Sequence, residues 1–262
     1  GMPVCLLWRR KEVMFIQEVK IPCKNRMIDG IFYRPENRLR FPVVILNHGY
    51  NGYKTDFEAT AGYFAENGIG SVSFTYCGGS TRDRSGFPTT EMTLFTEKED
   101  LYAVLDEVKS WECTDISNIY LFGASQGGMI SALAAEERGD EINGIILLYP
   151  ALCIAGDWRK RFPAWEDIPD TQELWGMLLG RKFFESIHDF DIHERIGKFS
   201  KNVLILHGTE DTVVPLSYGE WAASRYPNAR IEIFQGEGHG FSEYGIRRME
   251  GMTLYFIHGC MR

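Results

Sequence analysis

Six short apolar runs rich in β-branched residues punctuate the chain: Val43-Val44-Ile45-Leu46, Ser71-Val72-Ser73-Phe74, Ile119-Tyr120-Leu121-Phe122, Ile145-Ile146-Leu147-Leu148, Val203-Leu204-Ile205-Leu206 and Ile231-Glu232-Ile233-Phe234. Most lack the polar alternation of a strand with one wet face, so they suit strands covered on both sides. Helical patterns separate them, and right-handed crossovers between such strands build a mainly parallel sheet. Leu101, Val104, Leu105 and Val108 fall at helical spacing, which predicts a helix over about 93–111 with one face on the sheet. The stretches 56–67, 217–226 and 241 onward read the same way. The start of the chain differs: apolar stretches over 13–19 and 28–33 flank the polar Lys24-Asn25-Arg26, the pattern of an antiparallel hairpin leading into the sheet. The strand count comes to eight.

One interval breaks the rhythm. From Pro150 to about Ile196 no strand is expected, while Trp158, Phe162, Trp165, Trp175, Phe183 and Phe184 crowd together, as in a cap inserted between the sixth and seventh strands. With 262 residues, 44% of them hydrophobic, the chain suffices for one large core, so residues 2–262 are expected to form one domain with 150–196 as an insertion within it. There is no internal repeat.

Charge and cysteine usage narrow the partners. The formal net charge of -8 is spread without a long run of one sign, which gives no electrostatic footprint for nucleic acid. The apolar Cys5-Leu6-Leu7-Trp8 precedes Arg9-Arg10-Lys11, the reverse of an export signal, and no run approaches the length of a membrane span. A cytoplasmic protein without a membrane partner is expected. Cysteines 5, 23, 77, 113, 153 and 260 show neither a C-x-x-C pair nor a zinc-like spacing, and read as inert thiols. Oligomeric state stays open, a homodimer included.

The chemistry concentrates at strand ends. Gly123-Ala124-Ser125-Gln126-Gly127-Gly128 follows one apolar run and precedes the helical pattern Met129, Ile130, Leu133, Ala134. A serine at so tight a strand-to-helix turn is exposed to a carbonyl carbon, and the helix N-terminus directs N–H groups, Gln126 first, at the developing oxyanion. A serine hydroxyl is a weak nucleophile at neutral pH and needs a base, which needs an orienting acid. Asp211 in His207-Gly208-Thr209-Glu210-Asp211 and His239 in Gly236-Glu237-Gly238-His239-Gly240 each follow their own strand, where groups gather in open parallel sheets. Glu210 is the adjacent competitor for the acid. The second oxyanion donor is expected from Asn47-His48-Gly49-Tyr50-Asn51-Gly52, with the Tyr50 backbone N–H best placed.

Other candidates have plainer readings. His48 and His207 are expected to form structural hydrogen bonds beneath the site. His188 and His193 are five apart and do not match a helical zinc pair, so exposed polar roles are expected. Cys77-Gly78-Gly79-Ser80 lacks the P-loop lysine and reads as a strand-exit turn. No metal or organic cofactor is implied.

With His48-Gly49-Tyr50, Ser125, Asp211 and His239 in this order, the chain resembles the α/β-hydrolase superfamily over nearly its whole length. The 92–93 helix start, Glu99-Asp100 and the insertion after Tyr149-Pro150-Ala151 are similar to bacterial cinnamoyl or feruloyl esterases. That resemblance implies an acyl-enzyme esterase acting on a small-molecule ester, with a cap aspartate and tyrosine on the ring hydroxyl of the acyl group. Asp157 matches the aspartate, but Phe183 occupies the tyrosine position, so one hydroxyl-binding group is missing. An apolar or aryl acyl group is the expectation that remains. A prolyl-oligopeptidase-like serine peptidase shares the motif order, and a non-catalytic ligand-binding relative is the reading from outside the enzymes.

Overall fold

The computed structural model describes residues 9–11, 14–36 and 38–262; the expectations placed on Cys5 to Trp8 and on Val13 lie outside them. The strands are β1 (Arg9–Lys11), β2 (Met14–Cys23), β3 (Arg26–Pro35), β4 (Phe41–Asn47), β5 (Gly70–Thr75), β6 (Thr114–Ala124), β7 (Gly144–Leu148), β8 (Thr171–Leu174), β9 (Met177–Gly180), β10 (Asn202–Gly208) and β11 (Ala229–Phe234). The helices are α1 (Glu58–Glu66), α2 (Leu94–Ser110), α3 (Gln126–Arg138), α4 (Ile154–Arg161), α5 (Arg181–Ile187), α6 (Ile192–Arg195), α7 (Leu216–Arg225) and α8 (Glu243–Cys260).

The main sheet runs β1-β2-β3-β5-β4-β6-β7-β10-β11. From β5 to β11 every neighbouring pair is parallel, whereas β1, β2 and β3 pair antiparallel at the other edge. The eight expected strands are all present, and β1 adds a short ninth outside β2. Its Arg-Arg-Lys sequence carries no apolar signal, because pairing at an edge is made by the backbone.

Alternation inside each apolar run explains why the runs look continuous. Val43, Ile45, Ile119, Leu121, Ile145, Leu147, Val203 and Ile205 pack on one side with residues of α2, α3 and α7. Val44, Leu46, Phe122, Ile146, Leu148, Leu204 and Leu206 pack on the other with residues of α1 and α8. Both faces are covered, so neither shows a polar period. Helix α2 is held at its start by Thr93, whose hydroxyl accepts from the backbone N–H of Phe95 and Thr96.

Between β7 and β10 the chain leaves the sheet for α4, β8, β9, α5 and α6. A strand pair there corrects the expectation of none: β8 and β9 form a hairpin around Trp175-Gly176, with Leu174 opposite Met177. Both turn residues have positive φ, 48° and 82°. A two-residue turn of that hand normally carries Asn-Gly or Asp-Gly, so tryptophan at its first position hid it. The excursion shares the body's core: Ile168, Met177, Leu179, Phe183, Phe184 and Ile187 belong to the same buried cluster as α2 and α3.

Candidate active site

Ser125 sits between β6 and α3 with φ 54° and ψ -117°, a strained backbone that points the side chain out of the turn. The turn closes because its glycines leave no room for anything else. An added Cβ at Gly123 would lie 2.2 Å from the Gly127 carbonyl oxygen, and one at Gly127 would lie 2.2 Å from that of Asn47. The elbow is then tied across the sheet: Ser125 N–H donates to Leu148 O at 2.9 Å, and its carbonyl accepts from Ala151 N–H at 2.9 Å.

The Ser125 hydroxyl lies 2.9 Å from His239 Nε2. On the far edge of that imidazole, Nδ1 lies 2.9 Å from Asp211 Oδ2. Asp211 is held on both oxygens, Oδ1 accepting from the backbone N–H groups of Val213 and Val214 at 2.9 and 2.8 Å. Its neighbour Glu210 is exposed, and its backbone N–H donates to Glu237 O. The structure therefore brings Ser125, His239 and Asp211 into one line, with Glu210 outside it.

His207 supports this line from below. Its Nε2 lies 2.9 Å from Val214 O and 3.2 Å from Asp211 Oδ2. A carbonyl only accepts, so Nε2 carries the proton and donates, and burial pushes the ring's pKa down, favouring the neutral form. Asp211 thus takes hydrogen bonds from His239 and two amides, with the His207 ring close beside its Oδ2.

His48 plays a comparable part in the loop after β4. Its Nδ1 donates to Gly49 O at 2.6 Å, and its Nε2 accepts from Tyr76 N–H at 3.0 Å. Gly49 O also accepts from Gly52 N–H at 3.0 Å. The Gly49–Tyr50 peptide is planar and trans, so fixing the carbonyl on this side directs the Tyr50 N–H to the other. Among the described residues, neither the Tyr50 nor the Gln126 backbone N–H makes a hydrogen bond. The Tyr50 phenol donates to Met177 O at 3.1 Å, joining this loop to β9.

Two further groups at the site escaped the sequence reading. The Gln126 side chain donates to Glu97 at 2.6 Å; this carboxyl is buried in α2, and burial, reinforced by Asp100, pushes its pKa up to about 8. Glu97 and Asp100 fall on the buried face of α2 with Leu94, Leu101 and Val104, a period that could have flagged both as buried acids. Asp100 has a cationic partner, Arg26 at 2.8 Å, and accepts from Cys77 N–H. The second missed group is Tyr149, just after β7, whose ring lies 4.5 Å from the His239 ring.

The two pocket residues do not join the line. Asp157 is exposed on α4, beside Cys153, whose thiol is pushed up to about 12 by burial and then by Asp157. Phe183 is 1% exposed, its ring packed against Phe184 with centroids 5.4 Å apart, so in this structure it is core and presents no ligand-facing surface. Cys77 to Ser80 form a turn, with Gly79 N–H donating to Tyr76 O. His193 is exposed, while His188 is only half-buried, with Trp165 edge-on to its ring. Among the described residues no cluster of three or more histidine, cysteine or acidic side chains could hold a metal ion, and no helix is long and apolar enough to cross a membrane. Cysteines 23, 77, 113, 153 and 260 are free. Cys5 lies outside the described residues.

A sheet of this order with a strained serine between strand and helix defines an α/β hydrolase. A profile of the family described as "Serine aminopeptidase, S33" matches residues 40–188, and the chain belongs to that family within the α/β-hydrolase superfamily. Among solved structures it is similar to Est1E from Butyrivibrio proteoclasticus with ferulic acid bound, at 25% identity and TM-score 0.83, covering 92% of this chain and 98% of that one. Among curated proteins it is 31% identical over 121 residues to an uncharacterized 31.7 kDa Escherichia coli protein from the traX-finO intergenic region. That match covers 44% of this chain and only 41% of the relative's length. The mouse alpha/beta hydrolase domain-containing protein 17C is 26% identical over 197 residues, 72% of this chain and 54% of the relative.

Proposed function

We propose that this chain is a serine carboxylic-ester hydrolase that works through an acyl-enzyme on small esters with an apolar or aryl acyl group. The observation that carries the reading is the unbroken line from Ser125 through His239 to Asp211, with 2.9 Å at each junction. Ser125 Oγ attacks the ester carbonyl while His239 Nε2 takes its proton. The Tyr50 and Gln126 amides receive the negative oxygen. His239 returns the proton to the departing alcohol, and the same base then activates water to release the acid. Asp211 holds the imidazole in the tautomer this requires.

Residues 150–196 act as a cap within one catalytic domain spanning 2–262. Their aromatic residues, and the likeness to a protein whose structure carries ferulic acid, support an aryl or otherwise apolar acyl group. Asp157 is the acidic residue of α4 that would meet a ring hydroxyl. A second reading, cleavage of aminoacyl amides, is favoured by the description of the matching family.

Hydrolysis of p-nitrophenyl esters from acetate to decanoate, alongside methyl ferulate, methyl hydrocinnamate and aminoacyl-arylamides, separates these readings, with Ser125→Ala as the blank. Serine-dependent turnover fastest on aryl esters supports the proposal. Faster turnover of the arylamides than of matching esters makes the protein a peptidase. No serine-dependent turnover, with no fluorophosphonate label on Ser125, leaves a binding protein.

A further inference from the structure

We infer that Tyr149 is a positioning residue for His239, its ring bracing one face of the imidazole and favouring the imidazolium formed when Ser125 gives up its proton. The inference rests on the proposed role of His239 as general base.

Tyr149 has φ 34°, a left-handed conformation that a bulky residue rarely adopts. A turn requiring only that backbone would be served better by glycine or asparagine. The strain is held from two sides: Tyr149 N–H donates to Leu206 O at 2.7 Å, and two residues on, Ala151 N–H donates to Ser125 O at 2.9 Å. The result is a ring directed at the histidine. Its centroid lies 4.5 Å from that of His239 with the planes at 50°, and 5.3 Å from that of Phe241, edge to face. Phe241 in turn stacks on Phe234 at the end of β11, 4.5 Å between centroids. An aromatic train therefore runs from β11 through Phe241 and Tyr149 to the imidazole.

Among the described residues the Tyr149 hydroxyl makes no hydrogen bond, and burial followed by the Asp211 charge pushes the phenol up to about 12. The group is neutral and is not a rival base; its ring is the part in use. The imidazole needs such a brace because its two hydrogen bonds, to Ser125 and Asp211, lie at opposite ring edges and resist in-plane shifts more than tilting. The aromatic face also attracts the cation formed in the transition state more than the neutral ring before it, an effect worth a factor of roughly three to thirty in rate.

The test compares Tyr149→Phe and Tyr149→Leu on p-nitrophenyl acetate, too small to need the cap. Phe should keep kcat within about twofold. Leu should lower kcat about tenfold with KM within twofold, and slow fluorophosphonate labelling of Ser125 by a similar factor. In a His239→Ala background, Tyr149→Leu should change the residual rate no further. Full kcat in Tyr149→Leu, a loss confined to KM, or a further loss in the His239→Ala background overturns the inference. Should the Leu protein not fold, Tyr149→Met makes the same comparison. If His239→Ala itself keeps full activity, the assignment of the base has failed and this inference with it; a dead His239→Ala beside an unimpaired Tyr149→Leu removes this inference alone.

Discussion

Ser125, Asp211 and His239 stand at the carboxyl ends of β6, β10 and β11, and the elbow and the acid are fixed by backbone hydrogen bonds that leave their positions little choice. The aromatic residues of 150–196 are held by side-chain packing, on one another and on the body: Trp158 stacks on Phe162 and meets Phe184 edge-on, Phe162 and Phe183 each meet Phe184 edge-on, and Phe183 and Phe184 join the cluster of α2 and α3. Backbone anchoring suits chemistry, which tolerates little displacement of the reacting groups. Side-chain packing suits selectivity, since pocket width can change without disturbing the sheet. Substitutions in the first region should cost turnover or folding, and those in the second should redistribute substrates.

Ser125→Ala should show the largest effect, a loss of at least about ten-thousand-fold in kcat on any ester cleaved, with an unchanged thermal midpoint. Asp211→Asn should follow at about a thousand- to ten-thousand-fold. The exposed Glu210→Gln should stay within about twofold, and a reversed ranking in steady-state assays would identify the wrong acid. Gly127→Ala brings a methyl group into the Asn47 carbonyl; denaturant titration should record a loss of more than about 3 kcal/mol, or no folded protein.

Glu97 gives a smaller effect with a definite sign. Its folded pKa, about 8, lies above the ordinary 4.5, so between those values the folded state holds a proton that the unfolded state has lost. Its contribution to stability is complete below the unfolded value and is lost as pH rises through the folded one. Glu97→Gln keeps an acceptor for Gln126 and removes the titration. Relative to the parent, this variant should gain stability between pH 5 and pH 8, at up to about 1.4 kcal/mol per pH unit. A constant difference in denaturant midpoints across that range would mean that Glu97 is not protonated in the folded protein. The smallest change is expected at the hairpin tip. Trp175 is 64% exposed, so Trp175→Ala should leave stability within about 0.5 kcal/mol and kcat unchanged, while shifting KM for aryl esters several-fold. A large fall in kcat would erase the distinction between the two regions.

The same division governs how much the sequence disclosed. Strands β4, β6, β7 and β10 were legible because burial on both faces leaves uninterrupted apolar runs, β5 and the half-exposed edge strand β11 because their apolar residues alternate, and α2 because Thr93 caps an apolar helical stripe. Ser125, Asp211 and His239 were legible because each follows such a run at once. The β8–β9 hairpin was not, since four-residue strands with the polar Thr-Gln-Glu start carry little period and the Trp175-Gly176 turn lacks its usual residues. Resemblance sets Phe183 at the position of a ring-binding tyrosine, and the structure packs it into the core, a placement set by tertiary contacts. Glu97 left a trace in the α2 period. Tyr149 left none, because its meeting with His239 joins β7 to the loop after β11.

The central claim is that Ser125 carries the acyl group between the two half-reactions. Intact-protein and peptide mass spectrometry after rapid mixing with a slowly deacylated p-nitrophenyl ester, quenched in acid, tests it directly. One acyl mass should appear on the peptide containing Ser125, formed with the burst of nitrophenol and absent from Ser125→Ala and His239→Ala. Ester turnover with no adduct on Ser125, or with full activity in Ser125→Ala, would contradict it.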